Sequence, residues 1–216
     1  MAIEEIELAL SNEDVPTDIK AIIDESDKRI DAFFATGENK RAPKYIPSDP
    51  ILFYKGLANV TKNDLPLGRV FCEWGSGFGV CTCLAAKLGY ESFGLEINPN
   101  LAAYSRELAQ DLSLNVQILE TSYVPEDYES YSGIGGEFLI KNEKVASRDA
   151  RVVSELTYEG MDHEIAEIDV FFAYPWPMEQ EFMQELFDEI AVEGAILICY
   201  HRDSEICAYR KLGGNF

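Results

Sequence analysis

The chain predicts an α/β fold, a mostly parallel sheet with helices on both faces, and three observations carry that expectation. An apolar strand around 70–74 ends in an acid and breaks into a glycine-rich turn that opens a helix. A second apolar strand ends in its own acid 23 residues after the first, room for one turn, one helix and one strand. Beyond it, strand-like and helix-like patterns keep alternating, as they do where crossover helices join parallel strands.

Size and composition fit one main domain. The 216 residues are 47% hydrophobic, enough for a sizeable core. The expected division is a helical extension over 1–40 and an α/β domain over 41–216, with an insertion at about 123–166. No run approaches the roughly 18 apolar residues of a membrane span. Met1-Ala2-Ile3-Glu4-Glu5-Ile6-Glu7 is acidic and unlike a secretory signal. Five cysteines lie mostly in apolar runs without a C-x-x-C pair, and there are two histidines. Reduced thiols in a cytoplasmic protein are expected, with no metal site.

Charge bears on partners. Acids outnumber bases 39 to 18, for a net charge of −21. That surface repels a phosphate backbone, so no nucleic-acid partner is expected. It suits a cationic substrate; it also serves solubility alone.

The elements follow in order. Asp18 to Thr36 places Ile19, Ile22, Ile23, Ile30, Phe33 and Phe34 near one helical face, and Gly37 is a natural stop. This helix caps the sheet, covers a substrate site or meets a partner. Tyr45-Ile46-Pro47-Ser48-Asp49-Pro50 then leads into a helix over Ile51–Val60, either as a rigid linker or as a lid. The first strand, Val70-Phe71-Cys72-Glu73-Trp74, runs into Gly75-Ser76-Gly77-Phe78-Gly79 and a helix of small and apolar residues from Val80 to Leu88. Glycines let a backbone approach a ligand closely, and a helix N-terminus offers free N–H groups. A dinucleotide fingerprint would need a glycine or alanine where Val80 stands, and Glu73 would sit badly beside a pyrophosphate. A nicotinamide oxidoreductase is therefore the weakest of the enzyme readings. Tyr90 to Asn98 reads as the second strand, closing in Glu96, where an acid bonds a ribose through two hydroxyls. Pro99 opens the next helix.

Glu73, the three glycines and Glu96 together resemble motif I and its partner acid in class I methyltransferases that use S-adenosylmethionine (SAM). The resemblance spans about 45–201 and is specific over 70–98. It implies a Rossmann-like sheet and SAM as cofactor, bound by Glu73, Gly75, Ser76, Gly77, Phe78 and Gly79 at its amino-acid end. It further implies Glu96 at the ribose and Ile97 flanking the adenine. The 45–50 segment is similar to one in small methyltransferases that include protein-lysine enzymes, which implies that Tyr45 and Ser48 approach the ligand.

In the second half, Asn115–Glu120 reads as strand three, and the resemblance offers Glu120 or Ser122 to the adenine amino group. Residues 123–166 are long for a connection, so an inserted helix or hairpin is expected. Strand four, Ile168–Ala173, ends in Tyr174-Pro175-Trp176-Pro177, where amino-group methyltransferases often carry Asp/Asn-Pro-Pro-Tyr/Phe. The acid or amide is missing. That leaves Tyr174 and Trp176 to position an acceptor, unless this is simply a turn opening a helix over Met178–Ala191. Trp176 offers a π-face to a cation. His201 ends strand five, as a proton acceptor or a structural residue. The 15 residues after it hold one more strand over Ile206–Arg210, so the sheet is short at its C-terminal edge or completed by an unusual connection.

The chain thus reads as a SAM-dependent methyltransferase acting on a protein side chain or small amine, with Tyr174, Trp176 and His201 at the acceptor. The alternative is a catalytically inactive protein of that fold that binds cofactor or partner.

Overall fold

The computed structural model describes residues 2–125, 156–176, 179–201 and 205–213. Among these, seven strands form one sheet in the order β1-β7-β6-β5-β2-β3-β4. They are β1 (Ile3–Ile6), β2 (Val70–Trp74), β3 (Glu91–Leu95), β4 (Val116–Leu119), β5 (Val170–Ala173), β6 (Ile196–His201) and β7 (Glu205–Lys211). Strands β2 to β6 pair in parallel, and β7 runs antiparallel to both β6 and β1. From β2 the chain winds outward through β3 to β4, then returns to lay β5 on the other side of β2. That reversal opens a crevice at the carboxyl ends of β2 and β5, where open α/β sheets bind ligands.

Helices cover both faces. Helices α1 (Thr17–Ala35), α2 (Pro50–Lys62), α3 (Val80–Lys87) and α4 (Pro99–Asp111) lie on one side. Helix α5 (Gln180–Ile190) and the segment around Leu156–Ile168 lie on the other. The alternation along β2 sends Phe71 into the first layer and Cys72 and Trp74 into the second. Two helix starts that border the crevice are fixed by capping. Asp49 accepts from Ile51 and Leu52 N–H at 2.9 and 3.0 Å, and Asn98 accepts from Asn100 and Leu101 at 3.0 and 3.3 Å. Each is followed by a proline in the first helical turn, where its missing N–H costs nothing.

Beyond β6 the one further strand expected from sequence is present, and of the two alternatives for that edge the sheet takes the unusual connection. The short C-terminal run supplies β7, and the place beyond it is filled from the N-terminus. Ile3–Ile6 is a strand of the sheet, so residues 1–40 are not wholly a helical extension; the helical part is α1 and a short 3-10 turn, Glu38–Arg41. The motif Ile-Glu-Glu-Ile is too short to show a period of its own, since Ile3 and Ile6 pack on opposite faces of the sheet. Pairing with β7 sets Glu4 opposite Arg210, and Leu212 N–H donates to the Ala2 carbonyl at 2.7 Å. Lys211 Nζ then bonds Asp188 Oδ1 at 2.6 Å, tying β7 to α5.

The inserted helix or hairpin expected within 123–166 falls mostly outside the described residues, as do Pro177 and Met178. Its described C-terminal part folds back on itself through an isolated antiparallel bridge between Thr157 and Glu164. His163 there meets Glu91 at 3.1 Å and Glu167 at 3.4 Å. All five cysteines are free, and no helix among the described residues is long and apolar enough to cross a membrane.

Candidate functional site

A cavity of about 720 Å³ opens at the carboxyl ends of β2, β3 and β5, at the reversal point of the sheet. Its floor is the turn after β2. Gly75, Gly77 and Gly79 all have positive φ, of 70°, 54° and 69°. They differ in what a side chain would meet. A Cβ on Gly79 would stand 1.9 Å from Ser105 Oγ of α4, and one on Gly77 would stand 2.4 Å from the Tyr45 ring. These two glycines are demanded by the protein's own packing. At Gly75 nothing lies within 4 Å, and Gly75 lines the cavity. The space its missing side chain leaves is open to a ligand.

Two buried carboxylates flank that floor. Glu73, 5% exposed, is the penultimate residue of β2 and accepts from Thr82 N–H at 2.8 Å and Thr82 Oγ1–H at 2.5 Å. Burial pushes its carboxyl up to about 8, against the lowering effect of the Thr82 bonds. Glu96, 6% exposed, follows β3. Its Oε2 accepts from Gly77 N–H at 2.8 Å and its Oε1 from Asn98 N–H at 2.7 Å. Burial raises its carboxyl as well. Each Glu96 oxygen carries one backbone bond, which leaves lone pairs for further donors.

An aromatic clasp forms one wall. Tyr45 covers Gly77 and lies 5.4 Å from Phe78, ring centre to ring centre; Phe78 stacks on Tyr104 at 5.2 Å and meets Phe33 of α1 edge-on at 5.3 Å. Ser48 Oγ sits 3.5 Å from Cys81 Sγ, binding the 42–50 segment to the start of α3. This segment is thus a wall of the cavity and not merely a linker.

Of the residues singled out from sequence, Tyr45, Glu73, Gly75, Ser76, Phe78, Glu96, Ile97, Tyr174 and Trp176 line the cavity. Ile97 is 60% exposed and presents an open apolar face, and Trp176 stands 39% exposed at the rim. Gly77 and Gly79 act from below, by backbone and by packing. Ser76 Oγ lies near Gly94 on the sheet, without a hydrogen-bond partner.

Three residues fall elsewhere. Glu120 pairs with Arg106 at 3.9 Å, Ser122 Oγ accepts from Val124 N–H at 3.0 Å, and His201 Nδ1 bonds Gln180 Nε2 at 2.9 Å. None lines the cavity. A polar residue at a strand end turns toward the nearest local partner, and each of these had one.

Among the lining residues that sequence reasoning missed are Asp27, Trp74, Tyr123 and Glu179. Tyr123 stacks on Trp74 at 5.7 Å, and Trp74 Nε1–H donates to Tyr158 at 3.1 Å. The aromatic next to Ser122 was the signal: a flat base is held by a ring face as readily as by a hydrogen bond.

The sheet order, with helices on both faces, is a seven-stranded, Rossmann-like α/β fold, and solved methyltransferases share it. The chain is similar to an RNA methyltransferase from Salinibacter ruber, solved with S-adenosyl-L-homocysteine. The two are 14% identical over 79% of this chain and 96% of that one, with a TM-score of 0.51. It is similar as well to a hypothetical protein from Thermus thermophilus, 14% identical over 80% and 91% of the two chains, at a TM-score of 0.50. Likeness at such identity is likeness of fold. No protein-family model matches the sequence, and no curated protein matches it.

Proposed function

We infer that the protein is a SAM-dependent methyltransferase. The observation that carries this reading is the placement of two buried carboxylates, Glu73 and Glu96, at the carboxyl ends of adjacent parallel strands, around a turn whose Gly75 faces open space in the cavity. SAM fits that donor set: a cationic amino-acid end for Glu73, ribose hydroxyls for the free lone pairs of Glu96, and an adenine for the exposed face of Ile97. Bound there, SAM supplies an electrophilic methyl group for in-line transfer.

The chain's own residues do the rest by placement. Tyr45 and Phe78 close the wall over Gly77 and would shield a bound cofactor from water on that side. Tyr174 and Trp176, at the end of β5, meet the cavity beside the strand that carries Glu73. Holding a nucleophile there in near-attack geometry is where most of the rate would come from.

The acceptor is proposed to be an amine, on a protein side chain or a small molecule. Trp176 offers a π-face to a cation, and Glu179, whose N–H donates to the Trp176 carbonyl at 2.8 Å, adds an acid beside it. The net charge of −21 supports a cationic acceptor and opposes a phosphate backbone, although the Salinibacter protein is named for RNA. Reduced cysteines support a cytoplasmic setting. A second reading, cofactor binding without turnover, is favoured by Ala173-Tyr174-Pro175-Trp176, which lacks the usual acid or amide.

Transfer of a labelled methyl group to lysine-rich peptides and small amines separates the two. Trp176→Ala should keep cofactor affinity and slow transfer about tenfold, the loss of one desolvated cation–π contact. Binding of cofactor with no labelled product from any amine would sink the amine reading.

A further inference from the structure

The cavity lies between two layers of the fold. Its cofactor side belongs to the first: Glu73 is bonded to Thr82 of α3, and Tyr45 and Phe78 pack with Leu101 of α4. Trp74, the next residue along β2, lies on the other face of the sheet, where it packs in a cluster with Met183 of α5. Trp74 and Met183 both line the cavity, which therefore continues to the α5 side.

That side has a wall of its own. Leu119 of β4 pairs with Leu95 of β3, and Leu95 with Trp74. To stack on Trp74, Tyr123 is carried back across the carboxyl end of β3, its ring plane 21° from the indole. From the end of β5 the chain turns directly into α5. Glu179 N–H donates to the Trp176 carbonyl at 2.8 Å, and Met183 N–H to the Glu179 carbonyl at 2.9 Å, so these three residues line the cavity in succession.

This wall is poor in hydrogen-bonding groups. Trp74 Nε1–H is engaged with Tyr158 at 3.1 Å, and the Tyr123 hydroxyl is shielded from solvent, so both rings offer apolar surface. Pro175 has no N–H, and Met183 adds a thioether. Among the described residues of this wall, the one charge is that of Glu179.

Resting on the methyltransferase reading above, we propose that the α5-side chamber takes an amine already bearing alkyl groups, a tertiary amine that leaves as a quaternary ammonium. Each N–H of a primary ammonium brought against such a wall goes without an acceptor, at a cost; a methyl in its place buries apolar surface and keeps the positive charge. A diffuse cation of that kind is held by the Trp176 ring face and by the charge of Glu179, with no hydrogen bond required. The transfer balances. The tertiary amine gives its single N–H proton to water, its lone pair forms the N–C bond as the C–S bond breaks, and the pair from that bond stays on sulfur. Nitrogen carries away the positive charge and has no N–H left to place, where a primary amine in attack would have two.

The test is NMR titration with butyltrimethylammonium and butylammonium under saturating S-adenosylhomocysteine, alongside labelled methyl transfer to butylamine and N,N-dimethylbutylamine. Wild type should hold the quaternary ion about tenfold more tightly and methylate the tertiary amine faster. Met183→Gln, which puts an amide into the apolar wall, should cut that ratio several-fold; matched thermal melts establish that it is folded, and the wild-type comparison stands without it. Equal affinities, tighter butylammonium or faster transfer to butylamine overturns the alkylated-amine assignment while the cofactor site stands. An unchanged ratio in folded Met183→Gln overturns it too, by removing the α5 side from the chamber. Cofactor bound with neither ion held overturns both this assignment and the amine reading. Failure of wild type to bind S-adenosylhomocysteine removes the cofactor reading and this one together.

Discussion

Glu73 joins folding and binding at the scale of one residue. Its carboxyl is raised from 4.5 to about 8, so the folded protein takes up a proton that the unfolded chain does not hold at neutral pH. The stability this proton contributes is complete below about 4.5 and is lost as pH rises through about 8. The shift corresponds to a few kcal/mol, on the order of 1.4 kcal/mol per pH unit. Wild-type Tm should therefore fall between pH 5 and 8. Glu73→Gln should flatten that slope and melt higher than wild type at pH 8, while losing affinity for S-adenosylhomocysteine; a wild-type Tm that is flat with pH would contradict it. The glycines divide in a comparable way. Gly79→Ala meets Ser105 Oγ and should cost more than about 2 kcal/mol, from a clash added to a left-handed backbone. Gly75→Ala meets nothing and should cost only about 1 kcal/mol of backbone strain, yet weaken the ligand. Denaturant midpoints alongside titrations distinguish the two. The sequence made Glu73, Glu96 and the turn legible because a strand, an acid and glycines are contiguous there. Asp27, Tyr123 and Glu179 reach the same cavity from separate elements, which no local pattern records.

At the scale of elements, the parallel core from β2 to β6 followed from sequence because each strand is a short apolar run, with a helix after β2, β3 and β5. The edge did not. β1 has four residues with one isoleucine to each face, and nothing in Ile-Glu-Glu-Ile states that its partner lies at the far end of the chain. Ile6 packs on the α1–α2 face of the sheet. Ile6→Asp should lower stability by about 1–2 kcal/mol, the transfer loss of a half-buried aliphatic side chain. The cavity lies at β2, β3 and β5, so affinity for S-adenosylhomocysteine should persist at temperatures where the variant is folded. A variant with wild-type urea midpoint would show that β1 adds nothing to the sheet. The partners of Glu120 in α4, of His201 in α5 and of Ser122 in its own loop belong here too, since a strand-end side chain is claimed by whatever neighbouring element passes first.

For the whole molecule, the net charge of −21 acts on the fold and on the acceptor together. Self-repulsion of that size is screened by salt, with a Debye length of about 30 Å at 0.01 M falling to about 3 Å at 1 M. Tm should rise by several degrees between those limits, and methyl transfer to a cationic peptide should fall as its attraction is screened. A transfer rate indifferent to salt would argue against a cationic acceptor. The central claim is narrower than these and concerns the cofactor. Calorimetric titration of wild type and Glu96→Ala with S-adenosylhomocysteine tests it most directly. We predict a Kd on the order of micromolar for wild type, weakened about 100-fold in the variant by the loss of charge-assisted bonds to two hydroxyls. An absence of binding by wild type, or equal binding by Glu96→Ala, would contradict the account.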